Sequence, residues 1–160
     1  MGSCIYCGVN LVDWERVHTR DLGDVSYTFE AMKHEYVRHQ FWHNELDQRA
    51  INYARRKGRI GMRAAAENRI RKTVSPAENP YDGRQTPWDS NALCYAQHAT
   101  ATCCRRCLEE WHNIPRGREL TDEEIAYCTE LIMLYVDERL PYLTEEGEKV
   151  PPIREHLTGL

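Results

Sequence analysis

The residues with the most chemistry in them are cysteines and histidines. Cys4-Ile5-Tyr6-Cys7-Gly8 and Cys103-Cys104-Arg105-Arg106-Cys107 carry five of the seven cysteines, with His98 and His112 flanking the second group. Zinc takes four soft or borderline ligands at tetrahedral angles, and a Cys-x-x-Cys turn offers two thiolates to one ion. Gly8 suits the end of such a knuckle, where a positive φ is common and glycine adopts it freely. The first expectation is therefore zinc held by Cys4, Cys7, Cys104 and Cys107, with Cys103, His98 and His112 as alternates. A secreted disulfide scaffold would space its cysteines along the chain instead of clustering them. Cys94, between Leu93 and Tyr95, and Cys128, on the apolar face of a helical stretch, read as core residues.

Other constellations fail on spacing. His34 and His39 stand at i and i+5, about 140° apart on a helix, whereas the zinc-protease motif needs i and i+4. His39 and His43 have the right separation, with Glu35 a turn earlier, but read more simply as a solvated or half-buried aromatic helix face. The zinc deaminase pattern is absent, because His98-Ala99-Thr100 lacks the glutamate and Thr102-Cys103-Cys104 lacks the proline. No general-base motif of an HNH nuclease stands between the two knuckles. The loop residues Asp82, Arg84 and Gln85 form a polar group that an active site could borrow, although Asp82-Gly83 is also ordinary turn chemistry.

Charge is segregated. Residues 49–72 hold nine Arg/Lys and one acid, and residues 119–155 hold eleven acids and three bases, within a formal net charge of −4. Arg55, Arg56, Lys57, Arg59 and Arg63, with Arg105 and Arg106 beside the cysteines, are candidate phosphate contacts for nucleic acid. The competing reading pairs this stretch with the acidic C-terminal segment. Asp122, Glu123 and Glu124 open the last helix and would repel an anion there.

The elements that must position these groups read as helices. Between Tyr27 and Ala54 apolar residues recur at helical spacing without proline, giving one or two helices. Beyond Gly58 and Gly61 a basic helix runs to about Val74. Residues 75–92, with Pro76, Pro80 and Pro87, form a long loop. A short helix over Cys107 to Asn113 ends at Pro115 and Gly117. The last helix begins with Thr121 as cap, Glu124 closing a capping box and Leu120 with Ile125 as staple, and runs to about Leu140. The fold expected is mainly α: one helical domain over residues 1–140 with a small zinc knuckle or treble-clef-like element. Residues 1–25 carry the N-terminal knuckle, residues 93–140 the Cys-rich segment and last helix, and residues 141–160 a loosely held tail. The longest apolar run, Leu131 to Val136, is too short to span a bilayer, and the first residues lack the order of a signal peptide, so no membrane partner and a cytoplasmic location are expected.

The stretch from His98 through Cys103-Cys104-Arg105-Arg106-Cys107, Trp111-His112 and Ile114-Pro115-Arg116-Gly117-Arg118 to Leu120 resembles the bacterial and phage family DUF4186. The likeness extends back through Asp82-Gly83-Arg84-Gln85-Thr86-Pro87 and covers roughly Phe29 to Leu140. The family has no established activity, so the resemblance implies kinship and not a reaction. Some shorter members lack an N-terminal Cys-x-x-Cys, and the resemblance therefore implies a core site drawn from His98, Cys103, Cys104, Cys107 and His112, with Cys4 and Cys7 in an added knuckle. The functional expectation is a zinc protein associated with nucleic acid. The alternatives are a metal-dependent enzyme acting on nucleic acid or nucleotide, or a protein-interaction module.

Overall fold

A computed structural model describes residues 10–154. Its helices are α1 (Trp14–His18), α2 (Val25–Met32), α3 (Tyr36–His43), α4 (Gln48–Arg69), α5 (Ala92–Ala99), α6 (Arg105–His112) and α7 (Asp122–Arg139). A 3-10 turn (Leu22–Asp24) precedes α2, and a π turn (Ile70–Val74) extends α4. No strand occurs among the described residues, so the fold is mainly helical. A treble-clef is not part of what they contain, and the Cys4–Cys7 knuckle lies outside them.

Helix α7 is the axis. Its start is fixed by a complete capping box, in which the Glu124 amide donates to Thr121 Oγ1 and the Thr121 amide donates to Glu124 Oε2. Such a cap is worth about 1 kcal/mol. Ile125, Tyr127, Cys128, Leu131, Ile132, Met133, Tyr135 and Val136 are all buried, which leaves only a narrow polar edge. A helix so apolar must be covered on several sides, and α2, α4 and α5 pack against it. Leu140 ends it, ahead of Pro141.

Helix α4 meets this axis through a stripe at four-residue intervals: Ala50, Ala54, Gly58, Met62, Ala66 and Ile70. Mostly small, these residues let the helices approach closely. The expected boundary at Gly58 is a break within one long helix. Gly58 has φ +68 and ψ 176, and the amides that lose helical partners are taken up elsewhere. Arg59 N–H donates to Thr144 O at 2.9 Å and Ile60 N–H to Glu145 O at 3.1 Å, while Arg55 O accepts from Glu148 N–H at 3.0 Å. Residues 144–148, expected as part of a loose tail, are thus laid into the break.

The long loop over residues 75–91 ends at Asn91, whose side chain accepts from the Leu93 and Cys94 amides to start α5. Every residue of α5 is buried. Helix α6 starts two residues earlier than expected and stops at Asn113, which adopts the left-handed conformation (φ 53), while Ile114 N–H donates back to Leu108 O. That is a Schellman-type end, so Asn113 terminates the helix before Pro115 acts. The last carbonyls of α6 are covered by the α1 segment: His18 Nε2 donates to Trp111 O at 3.1 Å, and Arg20 to the carbonyls of His112 and Asn113 at 3.2 Å.

A Cβ added at Gly58 would lie 2.5 Å from the Glu146 carbonyl carbon, in a backbone conformation that L side chains avoid. Gly58→Ala is expected to lower unfolding free energy by about 2–4 kcal/mol in urea titrations. A loss under about 0.5 kcal/mol would show that the C-terminal strap is not seated on this break.

Candidate metal centre

The turn between α5 and α6 presents three sulfurs to one point. Thr100 Oγ1 donates to Ala96 O, Thr102 N–H donates to Gln97 O, and Gln97 Nε2 returns a bond to Thr102 O, which closes the chain back on α5. Ala101 takes φ +55 at the tip. Thr86 Oγ1 in the long loop donates to Cys103 O at 2.8 Å. Cys104 is the N-cap of α6, its Sγ accepting from the Cys107 amide at 3.4 Å. Cys103, Cys104 and Cys107 are all buried, and their sulfurs lie within 4.8 Å of one another. They are the one His, Cys, Asp or Glu group among the described residues that converges closely enough for an ion.

Arg38 completes the centre. It is 7% exposed on α3, its Nη2 donates to Cys107 Sγ at 3.3 Å, its Nη1 donates to His98 O, and its Nε lies 3.4 Å from Glu35 Oε2. Glu35 is itself the N-cap of α3, accepting from the Val37 and Arg38 amides. Burial works against the Arg38 charge, but Cys103, Cys107 and Glu35 more than offset it and hold its pKa above the ordinary value. Contact with the Cys103 and Cys104 thiols, with help from Arg38, pulls the Cys107 thiol far below its usual range. Its neighbours are driven the other way: contact with Cys104 and Cys107, then burial, raises Cys103.

Both histidines beside the cluster have other duties. His112 is fully buried, its Nε2 donating to Thr100 O at 3.0 Å and its Nδ1 accepting from Tyr127 Oη at 2.8 Å. With both nitrogens committed it holds α6 to α7. His98 donates from Nε2 to Pro87 O at 3.0 Å, and its ring lies near-parallel to Phe41 and Trp88. Neither joins the converging group. His39 and His43 pack against each other in a tilted arrangement, with centroids 4.1 Å apart, on the exposed side of α3. Asp82 ties the long loop to α6, accepting from the Arg105 amide at 3.1 Å, Gln85 at 2.9 Å and Arg116 at 3.1 Å.

The cluster floors a cleft of roughly 760 Å³, walled by α3, the loop at Gly83 to Trp88, and α6. Arg38, Phe41 and Trp88 are the wall residues that sequence reading missed.

The basic residues go largely to internal partners. Arg59 holds Asp137 at 2.8 and 2.9 Å and Glu145 at 2.7 Å, Arg63 holds Glu130 at 2.6 and 3.2 Å, and Arg55 pairs with Glu148. Arg56 donates to the Val150 and Pro151 carbonyls, and Lys57 sits over the Tyr53 ring. Arg105 is buried, its guanidinium donating to the carbonyls of Ser75, Pro115 and Arg118 among others, so it staples the loop and cannot reach a phosphate. Arg106 alone of these candidates faces the cleft. An association with nucleic acid finds no support in this arrangement, because the acidic segment already fills the partner's role. No helix of the described residues is long and apolar enough to cross a membrane.

Fold and site together define a helical protein with a buried cysteine cluster able to bind metal. The chain belongs to the family described as "Domain of unknown function (DUF4186)", which matches residues 26–137 and so contains the three cysteines and α3 through most of α7. No solved structure matches the chain.

Burial pushes the His112 pKa down to about 4 and lowers that of His98 in the same direction. A histidine depressed in the folded state is neutral there while the unfolded chain takes up a proton, so its stabilisation is complete above about pH 6.5 and fades as pH falls toward 4. For His112 this amounts to roughly 3 kcal/mol. Urea midpoints should fall steadily between pH 6.5 and 4.5, and a flat profile there would contradict a neutral, buried His112.

Proposed function

We propose that Cys103, Cys104 and Cys107 bind one zinc ion that serves as a structural centre, with a fourth sulfur from Cys4 or Cys7. The observation that carries this is the convergence of three buried sulfurs around a buried guanidinium. At a Zn–S distance of about 2.3 Å, tetrahedral sulfurs stand about 3.8 Å apart, so a cluster already within 4.8 Å needs to contract by about 1 Å at most. Four thiolates and Zn²⁺ carry a net charge of −2, and Arg38 stands against the Cys107 side of it. The ligating thiolates thereby add to the negative charge that Glu35 already sets beside this buried cation. The Arg38 bond to Cys107 Sγ is then an N–H···S contact of the kind that orients a ligating thiolate.

Sulfur-rich ligation damps the Lewis acidity of zinc and favours a structural role. The fourth ligand is drawn from the N-terminal pair because α1 enters the fold beside this centre. Trp14 packs on Trp111 at 4.9 Å between centroids, and Trp111 is a wall of the same cleft. Such zinc would fasten the α5–α6 turn to α3 and the N-terminal segment, with its binding free energy coupled to folding. The reading gives the basic stretch an internal task, the clamping of the C-terminal segment.

Purified protein should contain about one zinc per chain by elemental analysis. Cys103→Ser, Cys104→Ser and Cys107→Ser should each lose most of it, whereas Cys94→Ser, buried elsewhere in the core, should retain it. Equal zinc in all four variants, or none in the unaltered protein, would sink the proposal.

A further inference from the structure

We propose that the cleft above the cysteine cluster binds a small ligand with a planar aromatic ring and an anionic group, of the nucleoside monophosphate class. The first observation is Trp88, which is 66% exposed although its ring is fixed. Its ring is near-parallel to His98 at 4.7 Å and 11° and to Phe41 at 5.4 Å and 10°, and the His98 and Phe41 rings are 4.8 Å apart. Rings on opposite faces of an indole would be separated by at least about 7 Å, twice a carbon–carbon contact of about 3.5 Å. Phe41 and His98 therefore share one side of the indole, and the other face is open. A large aromatic held in position with one bare face is a stacking platform.

The second observation is charge. Several other arginines, among them Arg59, Arg63, Arg71, Arg116 and Arg118, are held by carboxylates. Arg84 and Arg106 line the same cleft as Trp88, are exposed, and have no carboxylate partner among the described residues. Arg106 projects from the first turn of α6 past Gly83, with its guanidinium Nη2 3.9 Å from where a Cβ of residue 83 would stand. Two unpaired guanidiniums flanking an aromatic platform fit a phosphate or carboxylate attached to a flat ring. Glu110, a turn after Arg106, lines the cleft as a hydrogen-bond acceptor for an exocyclic amine. A volume of roughly 760 Å³ accommodates a molecule of this size. The site adjoins the sulfurs without using them, so it goes beyond the metal reading and does not require it.

The test is isothermal titration of the full chain, with zinc content measured on the same samples, against AMP, UMP, adenosine and inorganic phosphate. A nucleoside monophosphate should bind at least about tenfold more tightly than adenosine or phosphate alone, since both halves contribute. Trp88→Ala should weaken it about tenfold or more, and Arg84→Ala with Arg106→Ala should abolish its advantage over adenosine. All three side chains are exposed, so the variants should keep the wild-type melting temperature and zinc content. Absence of binding by either monophosphate at millimolar concentration, or affinity unchanged by these substitutions in folded protein, overturns the inference. Zinc content identifies a failure of the metal centre separately.

Discussion

A guanidinium buried beside three sulfurs is the constraint on which the centre of this protein depends. Arg38 cannot lose its proton and is removed from water, so its surroundings must supply negative charge or accept its hydrogen bonds. They do both. Glu35 lies on one side, the His98 carbonyl accepts on another, and Cys107 Sγ on a third. Together with the hydrogen bonds from Cys103 and Cys104, which act most strongly, this contact lowers the pKa of the Cys107 thiol against the effect of burial. Helix α3 is thus joined at one cation to the end of α5 and the start of α6, which lie far from it in sequence. In the proposed centre a metal would extend this arrangement by taking all three sulfurs as ligands.

The rest of the molecule keeps that junction rigid. Arg105 gathers the carbonyls of the long loop, Asp82 fastens the loop to the first turn of α6, and His112 bonds to α5 and α7 at once. On the far side of α7 the chain returns through the break at Gly58, where backbone bonds and the Arg55, Arg59 and Arg63 ion pairs hold the acidic segment. Exposed ion pairs contribute little singly. Here they are arrayed along two segments that backbone hydrogen bonds already fix, so the segregated charge of the sequence is a device for internal docking.

Much of this was legible in advance where the determinants are local. The capping box at Thr121 and Glu124, the breakers of residues 75–92 and the close spacing of Cys104 and Cys107 all act within a few residues, and each appears in the structure as its local chemistry requires. The helix start at Arg105 was less legible, because a cysteine as N-cap is an uncommon choice beside Ser, Thr, Asp or Asn. Gly58 illustrates the limit. A glycine inside a basic helical stretch reads as a boundary, and only the partner at residues 144–148 reveals a helix that continues past the break. Arg38, Phe41 and Trp88 reach the cleft through tertiary packing, and nothing in their neighbours along the chain announces that meeting. The promotion of Cys103 over His98 and His112 has the same origin. The two rings found carbonyl and hydroxyl partners that spacing does not encode.

The most direct measurement of the central claim is X-ray absorption at the zinc edge of the purified full chain. Ligation by the cluster predicts a shell with at least three sulfurs at about 2.3 Å. A shell dominated by nitrogen and oxygen, or a protein whose three cysteines remain free of metal under reducing conditions with zinc supplied, would contradict it.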